Sequence, residues 1–178
     1  DSRDVVFQSN IFNNRFIKPL NFFLEDEKIL NDTRNTRWLK RTVGTKIFDK
    51  IKNNLISCSG TTYGNFDEIL NYSLLMKKNL YLFPYKRPLR HQIIFKKVAP
   101  YDQGIHNYLI YNRFFKDFEC HNNNISKICT TAYMKEFRFN KKGQLINKAN
   151  EIYSVIHQYD RSFKKNGSSV FNFIKKYE

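Results

Sequence analysis

The sequence predicts an α/β domain in which a mixed sheet is flanked by helices. Short apolar segments of strand character alternate along the chain with segments whose apolar residues recur every three or four positions. No repeat or low-complexity linker divides the 178 residues, so we interpret 1–178 as a single domain. A chain of this size can bury a core, and 41% hydrophobic residues is typical of a globular protein.

The first half of the chain predicts, in order, a strand, a further short apolar segment, a long helix and a second strand. Val5 to Phe7 is typical of the end of a buried strand, and Leu20 to Leu24 is a second short apolar segment. Thr36 to Ile51 has helical spacing, and we expect it to cover the sheet through Trp38. Leu55 to Ser57 predicts a short strand.

The middle of the chain predicts two more helices. Phe66 to Met76 has apolar residues at helical spacing, with Asn65 or Asp67 as its N-cap. Asp102 to Phe115 repeats the same spacing. The segment between them is punctuated by prolines and predicts loops; these are Pro84, Pro88 and Pro100.

The last third predicts two strands and a closing helix. Ile128 to Tyr133 and Tyr153 to Ile156 alternate as strands do, and Lys142-Gly143 predicts a turn between them. Val170 to Ile174 predicts a short amphipathic helix. No run of about 18 apolar residues occurs, so the sequence predicts no transmembrane segment.

The net charge of +15 favours anionic partners in general, but it does not identify one. The lysines and arginines are scattered, and no nucleic-acid-binding motif is present, so we expect no nucleic acid as a partner. Three cysteines without a Cys-x-x-Cys pair (Cys58, Cys120 and Cys129) argue against a disulfide framework or a structural zinc site. They favour a reducing compartment such as the cytoplasm, and leave the Golgi lumen open.

An acidic motif, Asp1-Ser2-Arg3-Asp4, stands directly before the first strand segment. Carboxylate oxygens suit Mg²⁺ or Mn²⁺, and proteins often share these ions with substrate phosphates. If the chain turns here, Asp1 and Asp4 can point at one ion while Arg3 contacts a phosphate. If the strand continues through the motif, the two carboxylates are separated onto opposite faces.

A second candidate segment, Cys58 to Gly64, combines two glycines with three hydroxyl residues. We expect Cys58 to Thr61 to form a turn between a strand and a helix, where glycine allows close approach to a ligand. Ser59, Gly60 and Thr61 are then candidates for contacts with sugar hydroxyls or phosphate. An ordinary turn with a capping residue explains the same pattern.

A third candidate segment begins at Asp102, the first residue of a predicted helix. Asp102 can act as a general base toward an acceptor hydroxyl, or it can simply stabilise the helix terminus. Gln103, His106 and Asn107 can line the same cleft. A buried structural role is the more common outcome for an isolated histidine.

A fourth candidate segment, His157 to Arg161, follows the last predicted strand. A neutral His157 can complete the coordination of an ion held by the acidic motif, while Gln158 and Arg161 can contact phosphate. We expect the last strand to run beside the first, which places His157 near Asp1 and Asp4. A polar strand end with a local Asp160–Arg161 pair is the alternative.

Taken together, the four segments resemble a group of glycosyltransferases with the glycosyltransferase-A fold. Members carry Asp-Ser-Arg-Asp, Cys-Ser-Gly-Thr before a helix, Asp-Gln with His-Asn close behind, and a late His-Gln-Tyr-Asp-Arg, as this chain does. The order and spacing match across nearly the whole chain. The match includes Glu25-Asp26, Asn35 and Trp38 between the first two motifs.

This resemblance implies a metal-dependent enzyme that transfers a sugar from a nucleotide-sugar donor to a glycan or glycoprotein acceptor. It implies Mn²⁺ or Mg²⁺ between the acidic motif and the donor diphosphate, with Asp1, Asp4 and His157 at the metal and Asp102 as the catalytic residue. The remaining candidates are then substrate contacts: Arg3, Ser59, Gly60, Thr61, Gln103, His106, Asn107, Gln158, Asp160 and Arg161.

In that group a nucleotide-binding, Rossmann-like half precedes the acidic motif, and this sequence begins at the motif. The chain is therefore expected to correspond to the C-terminal, acceptor-side half of the fold. By itself it is expected to bind a donor poorly.

Two other classes of function compete with the glycosyltransferase hypothesis. A metal-dependent nuclease or phosphoesterase would suit clustered Asp and His on a basic chain, but it predicts a denser ligand set, such as His-x-His. A basic nucleic-acid-binding module would show steeply salt-dependent affinity without any effect of Mn²⁺. The sequence does not specify the donor sugar, the acceptor or the stereochemical course.

Overall fold

The computed structural model describes residues 4–13, 16–83 and 101–159. Asp1, Arg3, Asp160 and Arg161 lie outside the described residues, as do the proline-punctuated segment and the predicted helix at Val170 to Ile174. No role predicted for these residues is tested by the structure.

The described residues form an α/β fold with mixed sheets flanked by helices, as the sequence predicts. Its strands are β1 (Val5–Phe7), β2 (Leu20–Lys28), β3 (Leu55–Gly64), β4 (Phe118–His121), β5 (Ile128–Thr130), β6 (Arg138–Phe139), β7 (Leu145–Ile146) and β8 (Val155–His157). Its helices are α1 (Thr33–Val43), α2 (Thr45–Ile51), α3 (Phe66–Leu82) and α4 (Asp102–Tyr111). In the described part of the chain, no helix has the length and apolar character needed to cross a bilayer.

The first sheet joins the two ends of the described chain in the order β1-β8-β5. Strand β1 pairs antiparallel with β8, with Val5 opposite His157, while β5 pairs parallel with β8. The expectation that the last strand runs beside the first is therefore confirmed. Because β5 and β8 are parallel, no tight turn can join them. The predicted turn at Lys142-Gly143 instead connects β6 and β7, which pair antiparallel.

The second sheet has the order β3-β2-β4 and is interrupted by a bulge. Phe22 of β2 pairs with Thr62 of β3, and Leu24 pairs with Ser57. Between these pairs β2 has one residue and β3 has four, so β3 departs from regular pairing. These four residues are Cys58 to Thr61. The segment expected to be a strand-to-helix turn is therefore a bulge inside a strand.

The second sheet lies between the helices and the first sheet. Phe22 is fully buried against Ile105 and Leu109 of α4. On the opposite face, Phe23 packs against Ile128 and Val155 of the first sheet. Each fully buried side chain of this kind stabilises the fold by about 1.5–3 kcal/mol. The two-sided burial fixes β2 as the central strand of the site region.

The predicted helix from Thr36 to Ile51 is two helices. Gly44 separates them with φ at +86°, a backbone conformation that favours glycine. Leu39, Phe48 and Ile51 cover the core, whereas Trp38 is only partly buried and stacks on Tyr101, with ring centroids 5.2 Å apart. The sheet is therefore not covered through Trp38.

The two helices predicted in the middle of the chain are present, but their C-terminal ends differ from the prediction. Of the two predicted cap residues, Asn65 caps α3 by accepting a hydrogen bond from the Glu68 amide, and α3 continues beyond Met76 to Leu82. Helix α4 begins at Asp102 as predicted but ends at Tyr111 rather than at Phe115.

Candidate functional site

A cavity of about 280 Å³ lies where the β3 bulge, the start of α4 and the end of β8 meet. Three of the four predicted segments contribute to its lining: the second supplies Cys58, Ser59 and Gly60, the third supplies Asp102 and Gln103, and the fourth supplies His157 and Gln158. The rest of the lining consists of Glu25, Arg34, Asn35, Trp38 and Tyr133. The site is thus assembled from segments distant in sequence.

His157 is the buried centre of this site. Its Nε2 lies 3.3 Å from Asp4 Oδ1, and its Nδ1 lies 3.3 Å from Cys58 Sγ. Gln158 donates from Nε2 to the same sulfur at 3.6 Å. The predicted proximity of His157 to the acidic motif is confirmed for Asp4. Asp4 itself does not line the cavity and meets the site through His157.

Glycine at position 60 leaves the space that the His157 ring occupies. A Cβ atom at Gly60 would lie 2.5 Å from His157 Cε1 and 2.7 Å from Nε2, which is closer than real contacts allow. The bulge backbone therefore lies directly against the imidazole. This close approach, rather than a positive φ, is the reason for glycine here.

Cys58, His157 and Asp4 form a thiol–imidazole–carboxylate row, the arrangement that thiol hydrolases use to activate a nucleophile. The environment of Cys58 opposes that chemistry. Its side chain is buried, and burial together with the Glu25 carboxylate raises the pKa of the thiol to about 12. A thiol that stays protonated at neutral pH is a poor nucleophile. We therefore assign Cys58 to the structural wall of the cavity.

Two side-chain amides from α4 hold the β3 bulge. Gln103 accepts from the Ser59 amide at 2.9 Å and donates to the Ser57 carbonyl at 2.6 Å. Asn107 accepts from the Ser57 amide and donates to the Ser57 carbonyl, both at 2.9 Å. Backbone groups that leave a sheet ladder need other partners when they are buried. These amides supply them.

His106 has a buried structural position one turn into α4. Its Nε2 lies 2.9 Å from Ser57 Oγ and its Nδ1 lies 2.8 Å from the Tyr72 hydroxyl. Complete burial lowers the pKa of His106 to about 3, so the ring is neutral at physiological pH. The expectation that His106 and Asn107 line the cleft is not met. Thr61 is also buried and outside the cavity lining.

Asp102 is exposed at the cavity, on the first residue of α4. Its Oδ1 accepts a hydrogen bond from the Gln103 amide at 2.8 Å. A carboxylate in the first helical turn is favoured by the helix dipole. Asp102 therefore stabilises the helix terminus and also faces the cavity, and its catalytic role stays a prediction.

One wall of the cavity was not predicted from the sequence. Arg34 donates from Nη2 to the Tyr133 hydroxyl at 3.4 Å, and Tyr133 donates to the Asp32 carboxylate. Burial and the Asp32 hydrogen bond raise the pKa of Tyr133 to about 12, so the phenol stays protonated. Arg34 and Tyr133 are 99 residues apart, and no local pattern marks them as partners.

The sequence provided only a weak indication that three other lining residues belong to the site. These residues, Glu25, Asn35 and Trp38, lie in the stretch between the first two motifs that matches the glycosyltransferase group. No role followed from that match. In the structure all three line the cavity, and Glu25 is almost completely buried there.

Metal ligands are present only in part among the described residues. No group of three or more His, Cys, Asp and Glu side chains in residues 4–13, 16–83 and 101–159 is arranged to hold a metal ion. Asp4 and His157 supply two candidate ligands, and Asp1 lies outside the described residues. Buried Asp4 Oδ1 makes no hydrogen bond within the described ranges and lies 3.3 Å from His157 Nε2. An oxygen in that state fits a cation site.

Gly60→Ala is expected to destabilise the fold by about 1–3 kcal/mol, the usual cost of overpacking a filled site. The added methyl group must displace the His157 ring from Asp4 and Cys58. Urea denaturation measures the loss of stability, and the imidazole NMR signals report the displacement.

The matched control for Gly60→Ala is Ser59→Ala, which alters the neighbouring cavity residue without adding an atom near His157. Equal stability of Gly60→Ala and the wild type, with unchanged His157 signals, would refute the close approach.

Comparison with known proteins adds no relative to this description. No family model matches the chain, and neither a curated protein nor a solved structure matches it at a significant level.

Proposed function

We propose that this cavity is the acceptor-side part of a glycosyltransferase active site of the glycosyltransferase-A type. The enzyme would transfer a sugar from a nucleotide-sugar donor to a glycan or glycoprotein acceptor. One observation carries the proposal: three of the four segments on which the resemblance rests converge on one cavity, and Asp4 of the fourth contacts His157 beside it. Cys58 and His157 are 99 residues apart and in contact, and Asp102 lines the same space.

The proposal includes a divalent cation held by Asp1, Asp4 and His157. Carboxylates suit Mg²⁺ and Mn²⁺, while imidazole suits transition metals, so the mixed ligand set favours Mn²⁺. When bound, such an ion supplies charge neutralisation for the donor diphosphate. Asp4 Oδ1 and His157 Nε2 lie 3.3 Å apart, and within the described residues that oxygen makes no hydrogen bond, which supports this assignment.

The protein's own residues would then divide the remaining work. In a single displacement, Asp102 would accept the proton of the acceptor hydroxyl at its exposed carboxylate. Arg34, oriented by Tyr133 and Asp32, offers a guanidinium to phosphate or to a sugar oxygen. Gln103 and Asn107 would act indirectly, by holding the bulge that carries Ser59 and Gly60.

A nucleotide-sugar panel tests the proposal directly. The protein, expressed with whatever sequence precedes Asp1 in its gene, is incubated with each donor and Mn²⁺, and release of the nucleoside diphosphate is measured. Metal-dependent release from one donor, abolished by chelator, is the expected result. No release from any donor, together with metal-stimulated phosphodiester cleavage, would favour the phosphoesterase class instead.

Asp4→Asn is expected to abolish the metal-dependent part of nucleoside diphosphate binding, because an amide is a much weaker ligand for a hard cation than a carboxylate. Calorimetric titration with and without Mn²⁺ measures this effect in the same extended protein. Asp49→Asn removes an exposed carboxylate on α2 and serves as the control. Undiminished metal-dependent binding by Asp4→Asn would leave Asp4 only the task of orienting His157.

A further inference from the structure

A second and larger cavity, of about 490 Å³, lies across β2 from the first. Glu25 lines the first cavity and its neighbour Asp26 lines the second, as expected for successive residues of a strand. The loop after β5 borders both cavities, with Tyr133 in the first and Met134 in the second. The two cavities therefore share a wall. A volume of this size is typical of small-molecule sites.

Three lining residues of the second cavity, Asn123, Tyr153 and Arg138, are held by hydrogen bonds within the protein. Asn123 donates to the Thr130 carbonyl at 3.0 Å and accepts from the Thr130 amide at 3.1 Å. The buried Tyr153 hydroxyl donates to the Asn123 carbonyl. Arg138 donates to the carbonyls of Asn147 and Lys148 and to Asn150 Oδ1, at 3.3, 3.1 and 2.8 Å. These contacts give a preorganised wall, which lowers the cost of binding.

The remaining polar groups of this cavity offer both donors and acceptors. Asn122 and Asn124 supply side-chain amides, Asp26 and Glu136 supply carboxylates, and Lys135 and Lys148 supply ammonium groups. Opposite charges are thus mixed on one lining. Met134 and Ile146 add apolar surface between them.

This mixture does not suit a phosphate or another small anion. Two carboxylates face the cavity, and the Arg138 guanidinium is already committed to three acceptors. Partial burial raises the pKa of Asp26, with the Asn123 hydrogen bond, Lys148 and Lys135 opposing the rise. Asp26 is an exposed carboxylate at this cavity, and the lysines that oppose the rise of its pKa are the same ones that an anionic ligand would need.

We propose that the second cavity binds a neutral saccharide. Each sugar hydroxyl can donate to a carboxylate or amide oxygen and accept from an amide or ammonium group, so mixed donors and acceptors match it. The apolar C–H surface of a sugar ring fits Met134 and Ile146. That the bound saccharide is the acceptor glycan rests on the function proposed above, whereas the binding itself does not.

The test is NMR titration of the isotope-labelled wild-type protein with neutral oligosaccharides built from hexoses, N-acetylhexosamines and deoxyhexoses. Inorganic pyrophosphate serves as the anionic probe. We expect one saccharide to shift the side-chain amide signals of Asn122 and Asn124. Asp26→Asn should lower the affinity for that saccharide by about tenfold or more, since it removes a charged hydrogen-bond acceptor. Asp49→Asn, a charge-matched control outside both cavities, should bind it as the wild type does.

Three results would overturn the proposal. The first is that no saccharide of the panel shifts these signals, and the second is that only pyrophosphate does. The third is that the saccharide shifts only the signals of residues lining the first cavity, and that Asp26→Asn leaves its affinity unchanged. Donor hydrolysis is scored separately, so saccharide binding without any donor turnover would refute the glycosyltransferase proposal and leave this one standing.

Discussion

Replacing Asp102 by asparagine is expected to lower turnover by about 10²- to 10⁴-fold, the usual loss when a positioned base is removed, with little change in donor affinity. A base acts on the proton that moves in the transition state, so its loss falls on the chemical step. Asparagine keeps a side-chain oxygen at the same position, and this oxygen can still accept from the Gln103 amide. The helix terminus is thereby preserved. Turnover and donor affinity are measured separately on the extended protein.

Asp67 provides a matched control for the Asp102 experiment. It is an exposed carboxylate in the first turn of α3, as Asp102 is in the first turn of α4, and it lies outside the cavity. Asp67→Asn should reproduce any small effect on helix stability without the loss of turnover. If Asp102→Asn turns over donor as fast as the wild type, Asp102 is only a helix-stabilising residue.

Acidification below pH 6.5 is expected to destabilise the fold through His106. Burial lowers the pKa of this imidazole from 6.5 to about 3, so the folded protein holds it neutral where the unfolded chain protonates it. Its contribution to stability is therefore complete above pH 6.5 and is lost as the pH falls toward 3. The loss is about 1.4 kcal/mol per pH unit, or about 2–3 kcal/mol between pH 6.5 and 4.5.

Urea denaturation at pH 7.5 and 4.5 measures this effect against His106→Gln. Glutamine does not titrate and can still hydrogen-bond to Ser57 or Tyr72, while other titrating groups are common to both proteins. The wild type should lose about 2–3 kcal/mol more than the variant across this range. Equal losses would show that His106 titrates normally in the folded protein.

The sequence predicted the elements whose signals are local. Asn65 or Asp67 was expected to cap α3, because each is a side-chain acceptor at the start of a helical apolar pattern, and the cap is Asn65. Helix α4 was predicted to begin at Asp102 for a similar reason. The pairing of β1 with β8 was expected from joining the two ends of the chain, which placed His157 near the acidic motif. The break at Gly44 was missed because the apolar spacing continues across it, and only the positive φ separates α1 from α2.

The bulge at Cys58 to Thr61 shows why the site was only partly predicted. Glycine and hydroxyl residues occur equally in turns and in bulges, so the residues themselves do not decide between the two. The bulge forms because Gln103 and Asn107, which are 44 to 50 residues away, accept the hydrogen bonds that a strand partner would otherwise accept. The wall formed by Arg34 and Tyr133 likewise depends on a contact between distant residues, which periodicity cannot reveal.

The hydrogen bonds from the side-chain amides of α4 to the β3 bulge have a consequence for how this protein can diversify. Because Gln103 and Asn107 set the path of the bulge, a substitution that shifts α4 by a fraction of an ångström moves Ser59 and Gly60 with it. Lineages can then alter the shape of the cavity through core positions such as Ile105 and Leu109, while every residue that faces the cavity stays the same. Differences in what the cavity binds would then arise from substitutions on the buried face of one helix, and a comparison of cavity residues alone would overlook them.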